Sequence, residues 1–354
     1  MYKTDYLIIG QGLAGSLLSH SLLKKGKSIA VVDNSHKGAA SAVAAGVINP
    51  ITGRRFVKSW RMDELLPFAV EIYAELSALT GASYYHPKNV AWLFRELEIE
   101  NNWMARSGDA DLEAYISPDF DKQKYVPTFG AITGGVEFQQ AGRTDLALLI
   151  KSWKKHLQSQ IRYLEAPFDY EQLKIGESIV YQDIQADKII FCEGAQAMQN
   201  PYFNYLPFNP AKGEVLLIEI EDYPLQDKMV KDGVFIIPLE DGRYWVGSSY
   251  NRQYEHEAPT NKERAELEAQ LKKMLQRPYR VIEHLAAIRP TVKDRKPFLG
   301  QHPQFSSLYI FNGLGAKGSY LGPYFASLMA DYLEGERALE KEVDIKRVLM
   351  SGEW

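Results

Sequence analysis

The sequence has a single cysteine and no long apolar run, and these two shortages exclude several classes of protein. Cys192 is the only thiol among 354 residues, so the chain has no internal disulfide and no metal centre built from cysteines. No apolar run approaches the roughly 18 residues of a membrane-spanning helix. The apolar run at residues 6–9 is also shorter than the roughly 7–15 residues of a signal-peptide core. We therefore expect a cytoplasmic protein without a membrane span.

A strong excess of charge is missing as well. Lys and Arg number 41 against 45 Asp and Glu, a net charge of −4, so nucleic acid and anionic lipid are not expected partners. The 7 histidines show no spacing typical of metal ligands, and we expect His86 and His284 to be structural. With 45% apolar and 24% charged residues, the composition is that of a globular protein of about two domains.

Residues 5–33 predict a strand, a tight turn, a helix and a second strand. The turn, Gly10-Gln11-Gly12-Leu13-Ala14-Gly15, follows the pattern GxGxxG, and Asp33 ends the second apolar run. In this pattern Gly10 makes the turn, Gly12 leaves room for a pyrophosphate and Gly15 lets helix and strand pack closely. The helix N-terminus then faces the phosphates, and Asp33 binds ribose hydroxyls. The pattern indicates a dinucleotide site, but does not by itself separate NAD from FAD.

The rest of the chain alternates between helical and β-type patterns. Residues 62–80 and 261–276 carry apolar side chains at helical spacing, whereas 213–221, 234–240 and 243–250 read as strands with a hairpin turn at 240–242. Residues 308–335 repeat the order strand, glycine-rich turn, helix. We therefore predict an α/β fold in which one domain is made of discontinuous segments and an antiparallel-sheet domain is inserted into it. The predicted segments are 1–80, 140–204 and 293–354 for the first domain, and 81–139 and 205–292 for the second.

Two further segments carry a family resemblance. The small-residue loop Ala40 to Pro50 follows the second strand, and the segments 288–300 and 312–318 contain Arg-Pro and glycine-rich motifs. Together with the GxGxxG turn, they resemble the D-amino-acid oxidase family of flavoproteins, particularly its glycine oxidase and sarcosine oxidase branch. The resemblance implies an FAD-binding Rossmann-like domain of the glutathione reductase type and an inserted antiparallel-sheet substrate domain.

The resemblance and the dinucleotide pattern together assign the cofactor-binding residues. In the family, the last glycine loop and the following helix point at the pyrimidine edge of the flavin, where a helix N-terminus stabilises negative charge. The cofactor-binding residues expected here are Gly10, Gly12, Leu13, Ala14, Gly15, Asp33, Asn34, Ser41, Ala45, Gly46, Gly194, Gly313, Gly315, Ala316, Lys317 and Gly318.

The resemblance also implies a substrate site around Arg289. A guanidinium matches a carboxylate through two parallel hydrogen bonds, and the alternative is a structural ion pair with an acidic residue. Tyr250 and Tyr320 are candidate walls of the pocket or packing residues. Lys317 is either a cation beside the flavin or substrate, or an exposed loop lysine. Tyr250 and Lys317 thus join Arg289 as candidate catalytic residues.

The predicted function is FAD-dependent oxidation of the C–N bond of an amino acid or secondary amine, by hydride transfer to flavin N5. The flavin is expected to be bound without a covalent link, since Cys192 lies far upstream of the C-terminal glycine region, on a predicted strand. An alternative is an enzyme similar to a tRNA-modification oxidase, with RNA meeting the basic cluster Arg54, Arg55, Lys58 and Arg61. A flavin-binding subunit without turnover and a nicotinamide dehydrogenase are two further hypotheses. The electron acceptor and the oligomeric state stay open.

Overall fold

The fold rests on two large sheets. The structure is a computed structural model that describes residues 1–350, so positions 351–354 of the predicted first domain lie outside the described residues. The first sheet has eight strands, which are Tyr2–Ile9, Ile29–Asp33, Arg162–Glu165, Leu173–Ile175, Ile179–Tyr181, Ile184–Phe191, Phe298–Gln301 and Leu308–Asn312. Its parallel centre runs in the order Arg162–Glu165, Ile29–Asp33, Tyr2–Ile9, Ile184–Phe191, Leu308–Asn312. The predicted βαβ unit is therefore confirmed.

Four longer helices belong to this part of the molecule, and two of them pack closely on each other. The four are Leu13–Lys24, Met62–Thr80, Leu146–Gln158 and Gly318–Leu333. The first and the last make contact through Leu17 and Gly322, where an added Cβ would lie 2.7 Å from a methyl group of Leu17. A glycine at this position lets the two helices approach each other and share one buried cluster with the sheet.

The second sheet also has eight strands. In spatial order they are Tyr279–Arg289, Ala211–Ile220, Tyr244–Gly247, Val234–Pro238, Lys228–Asp232, Asn89–Phe94, Gly134–Phe138 and Ile116–Ser117. All neighbours are antiparallel except Lys228–Asp232 and Asn89–Phe94, which pair in parallel. The strands within 205–292 pair antiparallel as expected, whereas the parallel pair joins this stretch to Asn89–Phe94 from the 81–139 segment. Helix Asn261–Met274 covers one face through Leu267, Leu271 and Met274.

Shorter elements connect these layers. They comprise strands Val47–Ile48, Ile51–Thr52, Val57–Lys58, Tyr85–Pro87 and Gly142–Thr144, helices Ala40–Val43, Leu97–Met104, Lys122–Phe129 and Lys346–Met350, and 3₁₀ turns Glu113–Tyr115, Tyr170–Gln172 and Gly194–Gln199. The helix predicted over 62–80 is confirmed, and the one predicted over 261–276 ends at Met274. The predicted hairpin joins Val234–Pro238 to Tyr244–Gly247.

Two sequence-based boundaries are wrong. The strand expected over 243–250 comprises only Tyr244–Gly247, and Cys192 directly follows its expected strand instead of lying on it. No helix among residues 1–350 has the length and apolarity needed to cross a membrane. The proposed division into two domains stays a prediction, although the strands of the second sheet all come from 81–139 and 205–292.

Candidate active site

A cavity of about 1060 Å³ is lined by residues of both large sheets. Gly10 and Asp33 line it from the carboxyl ends of two parallel strands, and Phe235, Trp245 and Ala287 line it from the second sheet. Ligands of open α/β sheets bind in the crevice outside these strand ends. The volume is at the upper end of the range for ligand pockets, roughly 300–1,000 Å³, so the cavity is large enough for an extended ligand.

Two helices begin at this cavity without a capping side chain. Gly12 is the N-cap of helix Leu13–Lys24 and Lys317 is the N-cap of helix Gly318–Leu333, and within residues 1–350 neither helix start receives a side-chain cap hydrogen bond. The first-turn N–H groups of a helix lack intrahelical partners and carry partial positive charge. Both helix starts line the cavity, which therefore presents two sets of N–H donors to an anionic or electron-rich ligand.

The GxGxxG turn has the steric features that its pattern predicts. Gly10 has φ +91°, and a Cβ there would lie 2.6 Å from the carbonyl oxygen of Cys192. A Cβ at Gly15 would overlap the carbonyl oxygen of Gly10. Ser41 lies beside Gly12, where an added Cβ would be 3.2 Å from the Ser41 hydroxyl oxygen. The small-residue loop thus approaches the turn at the place where a pyrophosphate is expected.

The carboxylate of Asp33 is held in position at the edge of the cavity. Its Oδ1 accepts from the N–H of Gln11 at 2.7 Å, and its Oδ2 accepts from the N–H of Ser35 at 2.8 Å. Each carboxylate oxygen can accept more than one hydrogen bond, so both oxygens retain capacity for ribose hydroxyls.

Arg289 lines the cavity from the second sheet and carries a positive charge without an acidic partner in the described part of the chain. Its Nη2 donates to the Ser248 hydroxyl at 2.6 Å and to the Ser249 carbonyl at 3.2 Å. Its Nη1 is buried and has no partner in the part of the chain that the structure describes, and no acidic residue there forms an ion pair with it. Burial lowers the pKa of Arg289 from its ordinary value. The structural ion pair that was the alternative role is therefore not found, and the guanidinium is available to an anionic ligand.

Gly213 creates the space in which this guanidinium lies. A Cβ at Gly213 would overlap the Arg289 side chain, and Gly213 itself lines the cavity. The arginine therefore lies flat against the backbone of strand Ala211–Ile220.

The remaining candidate catalytic residues differ in position. Lys317 lines the cavity, its Nζ is 3.3 Å from the Ser59 hydroxyl oxygen, and burial together with Arg295 and Lys296 lowers its pKa. It is thus a partly desolvated lysine rather than an exposed loop residue. Tyr250 is 55% exposed and is not part of the cavity lining, although its ring centroid lies 5.4 Å from the guanidinium carbon of Arg289.

Most of the predicted cofactor residues come together. Those that line the cavity are Gly10, Gly12, Leu13, Ala14, Asp33, Asn34, Ser41, Ala45, Gly46, Gly194, Gly315, Ala316, Lys317 and Gly318. Gly15 and Gly313 do not line it, and both are packed against protein atoms. Tyr320 lines it with a buried hydroxyl that has no hydrogen-bond partner among residues 1–350.

Several lining residues were missed from the sequence. Lys231, Phe235 and Trp245 line the cavity from the second sheet, and Glu193 lines it from the first. The Trp245 indole donates to the Val43 carbonyl at 2.9 Å, which ties the sheet to the small-residue loop. The alternation of side chains along a strand assigns each residue to one face of the sheet. The sequence does not say which of the two faces lines the cavity, so these residues could not be predicted.

His36 lines the cavity, whereas His86 and His284 pair with carboxylates outside its lining and the cysteine is not activated. His284 Nε2 lies 2.8 Å from Glu214 Oε2, and His86 Nδ1 lies 3.7 Å from Glu240 Oε1. Cys192 is buried at the cavity, and burial raises the pKa of its thiol well above the usual value. A group of His, Cys, Asp and Glu suited to a metal ion is not found within residues 1–350.

The basic cluster considered for RNA is mostly paired with acidic residues. Lys58 lies 2.6 Å from Asp63, Arg61 pairs with Glu64 and Glu340, and Arg54 pairs with Glu96, which leaves Arg55 as the exposed member outside these pairs. Paired charges attract phosphate weakly. The cluster therefore gives no support to an RNA-binding surface.

The GxGxxG turn, the two helix N-termini and the cavity shared with a second sheet define a dinucleotide-binding enzyme. The family model described as DAO, FAD dependent oxidoreductase, matches residues 5–332. The chain thus belongs to this family of FAD-dependent oxidoreductases. The predicted family, fold class and FAD-dependent enzyme activity are confirmed.

Individual relatives match along nearly the whole chain. A glycine oxidase of Pseudomonas aeruginosa is 24% identical over 94% of this chain and 95% of its own length. The crystal structure of a glycine oxidase from Bacillus cereus has a TM-score of 0.79 at 21% identity and covers 95% of this chain and 96% of its own. An iminodiacetate oxidase from a Chelativorans species has a TM-score of 0.77 at 23% identity, with coverage of 96% and 98%. At these identities the structural matches establish the shared fold.

Proposed function

We propose that the protein oxidises the C–N bond of an amino acid or a secondary amine that carries a carboxylate. The observation that carries this proposal is the buried guanidinium of Arg289, a residue of the cavity wall whose Nη1 has no partner among the described residues. A carboxylate would supply the partner that Nη1 lacks and would offset the cost of burying the guanidinium charge. The names of the relatives, glycine oxidase and iminodiacetate oxidase, support a substrate of this class.

The lining of the cavity fits FAD. Asp33 would hold the adenosine ribose, Gly12 and Ser41 would flank the pyrophosphate, and the first turn of helix Gly318–Leu333 would face the flavin ring. FAD bound here would supply the hydride acceptor, flavin N5, for the proposed oxidation. We expect non-covalent binding, because Cys192 is a buried thiol whose pKa is raised by burial.

The chain's own residues orient the substrate and exclude water. Arg289 fixes the carboxylate, while Phe235, Trp245 and Val215 form an apolar wall beside it. A substrate with a neutral amine needs no enzyme base for this oxidation. His36, the histidine that lines the cavity among residues 1–350, is engaged with Glu257 at 3.0 Å. The N–H groups at Gly318 would stabilise negative charge that accumulates on the reduced ring.

The test is anaerobic reduction of the FAD holoenzyme by amino acids and by their decarboxylated amines, followed by flavin absorbance. We expect at least one amino acid to bleach the flavin, and its decarboxylated amine to act much more slowly. If no compound of either panel reduces the flavin, the alternative of a flavin-binding subunit without turnover replaces the proposal. The cytoplasmic location stays a prediction.

A further inference from the structure

Lys231 is a further desolvated cation on the wall of the same cavity, in addition to Arg289 and Lys317. Among the described residues it has no hydrogen bond and no ion pair, and its ammonium nitrogen lies 3.3 Å from the ring centroid of Trp92 and 5.6 Å from that of Phe235. Burial lowers the pKa of Lys231 to about 8. An aromatic face attracts a cation, but it does not replace the water that a buried ammonium loses.

Two other lysines of this sheet with little exposed side-chain surface form ion pairs with a carboxylate. Lys212 lies 2.9 Å from Glu214, and Lys228 lies 2.6 Å from Glu137. The neighbouring carboxylate of Asp232 is directed to Arg95, with which it forms an ion pair at 2.5 Å. Lys231 thus lacks the carboxylate that the sheet provides for comparable lysines.

The acidic residues that line the cavity are also occupied elsewhere. Asp33 and Glu193 stand at the carboxyl ends of strands in the first sheet, and Glu257 lies 3.0 Å from His36. No ion pair joins any of them to Lys231 in the described part of the chain. The charge of Lys231 is therefore open to an anion that enters the cavity.

The strand register places Lys231 and Arg289 on one face of the sheet. Lys231 pairs with Phe235, Phe235 with Gly247, and Gly247 with Val215. Residues directly opposite each other in a sheet share a face, and the Arg289 guanidinium lies over Gly213, two residues along from Val215. Three strand spacings of about 4.8 Å separate the strand of Lys231 from that of Val215, roughly 14 Å. The two cations are too far apart to share one carboxylate, and Phe235, Trp245 and Val215 line the cavity with apolar surface in this region.

We propose that Lys231 binds a second acidic group of the substrate, so that the preferred substrates are amino acids with a distal carboxylate beyond an apolar spacer. This inference rests on the proposed function, in which Arg289 holds the first carboxylate. The apolar surface suits the spacer, and each charged end meets one desolvated cation.

The test measures binding without turnover. Straight-chain dicarboxylates from glutarate to suberate, and the monomethyl ester of each, are titrated into the FAD holoenzyme, and dissociation constants are taken from the change in flavin absorbance. For the chain length that spans both cations, we expect the dicarboxylate to bind at least about tenfold more tightly than its monoester, since each tenfold corresponds to about 1.4 kcal/mol, within the range of one desolvated charge pair.

Three variants assign the preference to Lys231. In Lys231→Met the diacid and its monoester should bind with about equal affinity, while the affinity for the monoester stays as in the unmodified protein. Lys231→Arg should retain most of the preference for the diacid. Lys231→Gln repeats the test if the methionine variant is poorly folded, as judged by FAD content. Lys273→Met removes an exposed lysine of helix Asn261–Met274 and should change nothing.

The outcomes separate this inference from the proposed function. Equal binding of diacid and monoester in the unmodified protein, a preference that survives Lys231→Met, or the absence of any flavin perturbation by the diacids overturns the role of Lys231. Oxidation of amino acids that depends on Arg289 would still uphold the proposed function in each of these cases. If flavin reduction by amino acids does not depend on Arg289, the proposed function fails instead.

Discussion

Arg289 is expected to separate carboxylated substrates from uncharged ones. Truncation of one partner of a desolvated charge pair costs roughly 2–5 kcal/mol, so Arg289→Ala should slow anaerobic flavin reduction by amino acids by about 30-fold or more. Arg289→Lys should recover only part of the rate, since an ammonium lacks the planar fork of a guanidinium. The measurement is the rate of flavin bleaching at limiting substrate.

Two controls decide whether the effect at Arg289 is local. Decarboxylated amines should be oxidised at nearly the same rate by Arg289→Ala and by the unmodified enzyme, and Arg252→Ala, which removes an exposed arginine near Tyr250, should leave both classes unaffected. Equal slowing of both classes, or loss of FAD from Arg289→Ala, would mean that the arginine is structural.

Glu193 is expected to make stability depend on pH. Burial raises its pKa to about 7 from 4.5, although the Tyr170 hydroxyl and the Asn200 amide donate hydrogen bonds to it. Between these two pH values the folded carboxyl keeps a proton that the unfolded one has lost, so stability falls as pH rises. Glu193→Gln should therefore gain up to about 3 kcal/mol relative to the unmodified protein between pH 5 and pH 8.

Urea unfolding of both proteins at pH 5 and pH 8 measures this difference, with FAD at the same concentration throughout. A parallel pH dependence in the two proteins would show that Glu193 does not titrate with a raised pKa.

The turn between the first strand and helix Leu13–Lys24 should tolerate no side chain at Gly15. A Cβ there overlaps the Gly10 carbonyl oxygen, a backbone atom that moves only with the turn itself. Gly15→Ala should therefore yield protein with little FAD and a lower melting temperature, as read from the flavin-to-protein absorbance ratio and a thermal scan.

Gly26→Ala is the matched control for this turn. Gly26 follows the same helix with φ +72° and no atom within 4 Å of an added Cβ, so alanine there adds only the left-handed backbone strain of about 1–2 kcal/mol. Full FAD content is expected. Equal FAD loss in both variants would mean that the loss results from a less stable helix rather than from a distorted turn.

The sequence predicts best those elements whose conformation is determined by residues close to one another in the chain. The helix at Met62–Thr80 follows from apolar spacing, and the turn at Gly10 follows from glycine chemistry. The position of Lys231 opposite Phe235, and of Phe235 opposite Gly247, depends on contacts between separate segments. Local periodicity carries no information about such register, so neither the parallel pair in the second sheet nor the position of Lys231 on the cavity wall could be predicted.

For the molecule as a whole, we expect heat or acid denaturation of the purified holoenzyme to release FAD into the supernatant. The reason is that the one thiol of the sequence, Cys192, is buried with a raised pKa and is therefore a poor nucleophile. The measurement is flavin fluorescence of supernatant and pellet. Flavin that stays with the precipitated protein would contradict non-covalent binding.

The order of strands in the first sheet also has a consequence for how the protein is synthesised. Strand Tyr2–Ile9 lies beside Ile184–Phe191, which in turn lies beside Leu308–Asn312, and the first helix packs on helix Gly318–Leu333. At roughly 5–20 residues per second on the ribosome, the N-terminal strand waits about 15–60 s for the last of these partners. Until then the edge of Ile184–Phe191 that pairs with Leu308–Asn312 stays uncovered, as does the face of helix Leu13–Lys24 that packs on helix Gly318–Leu333. A fragment that ends before residue 308 would lack a central strand, and adding FAD would not rescue it.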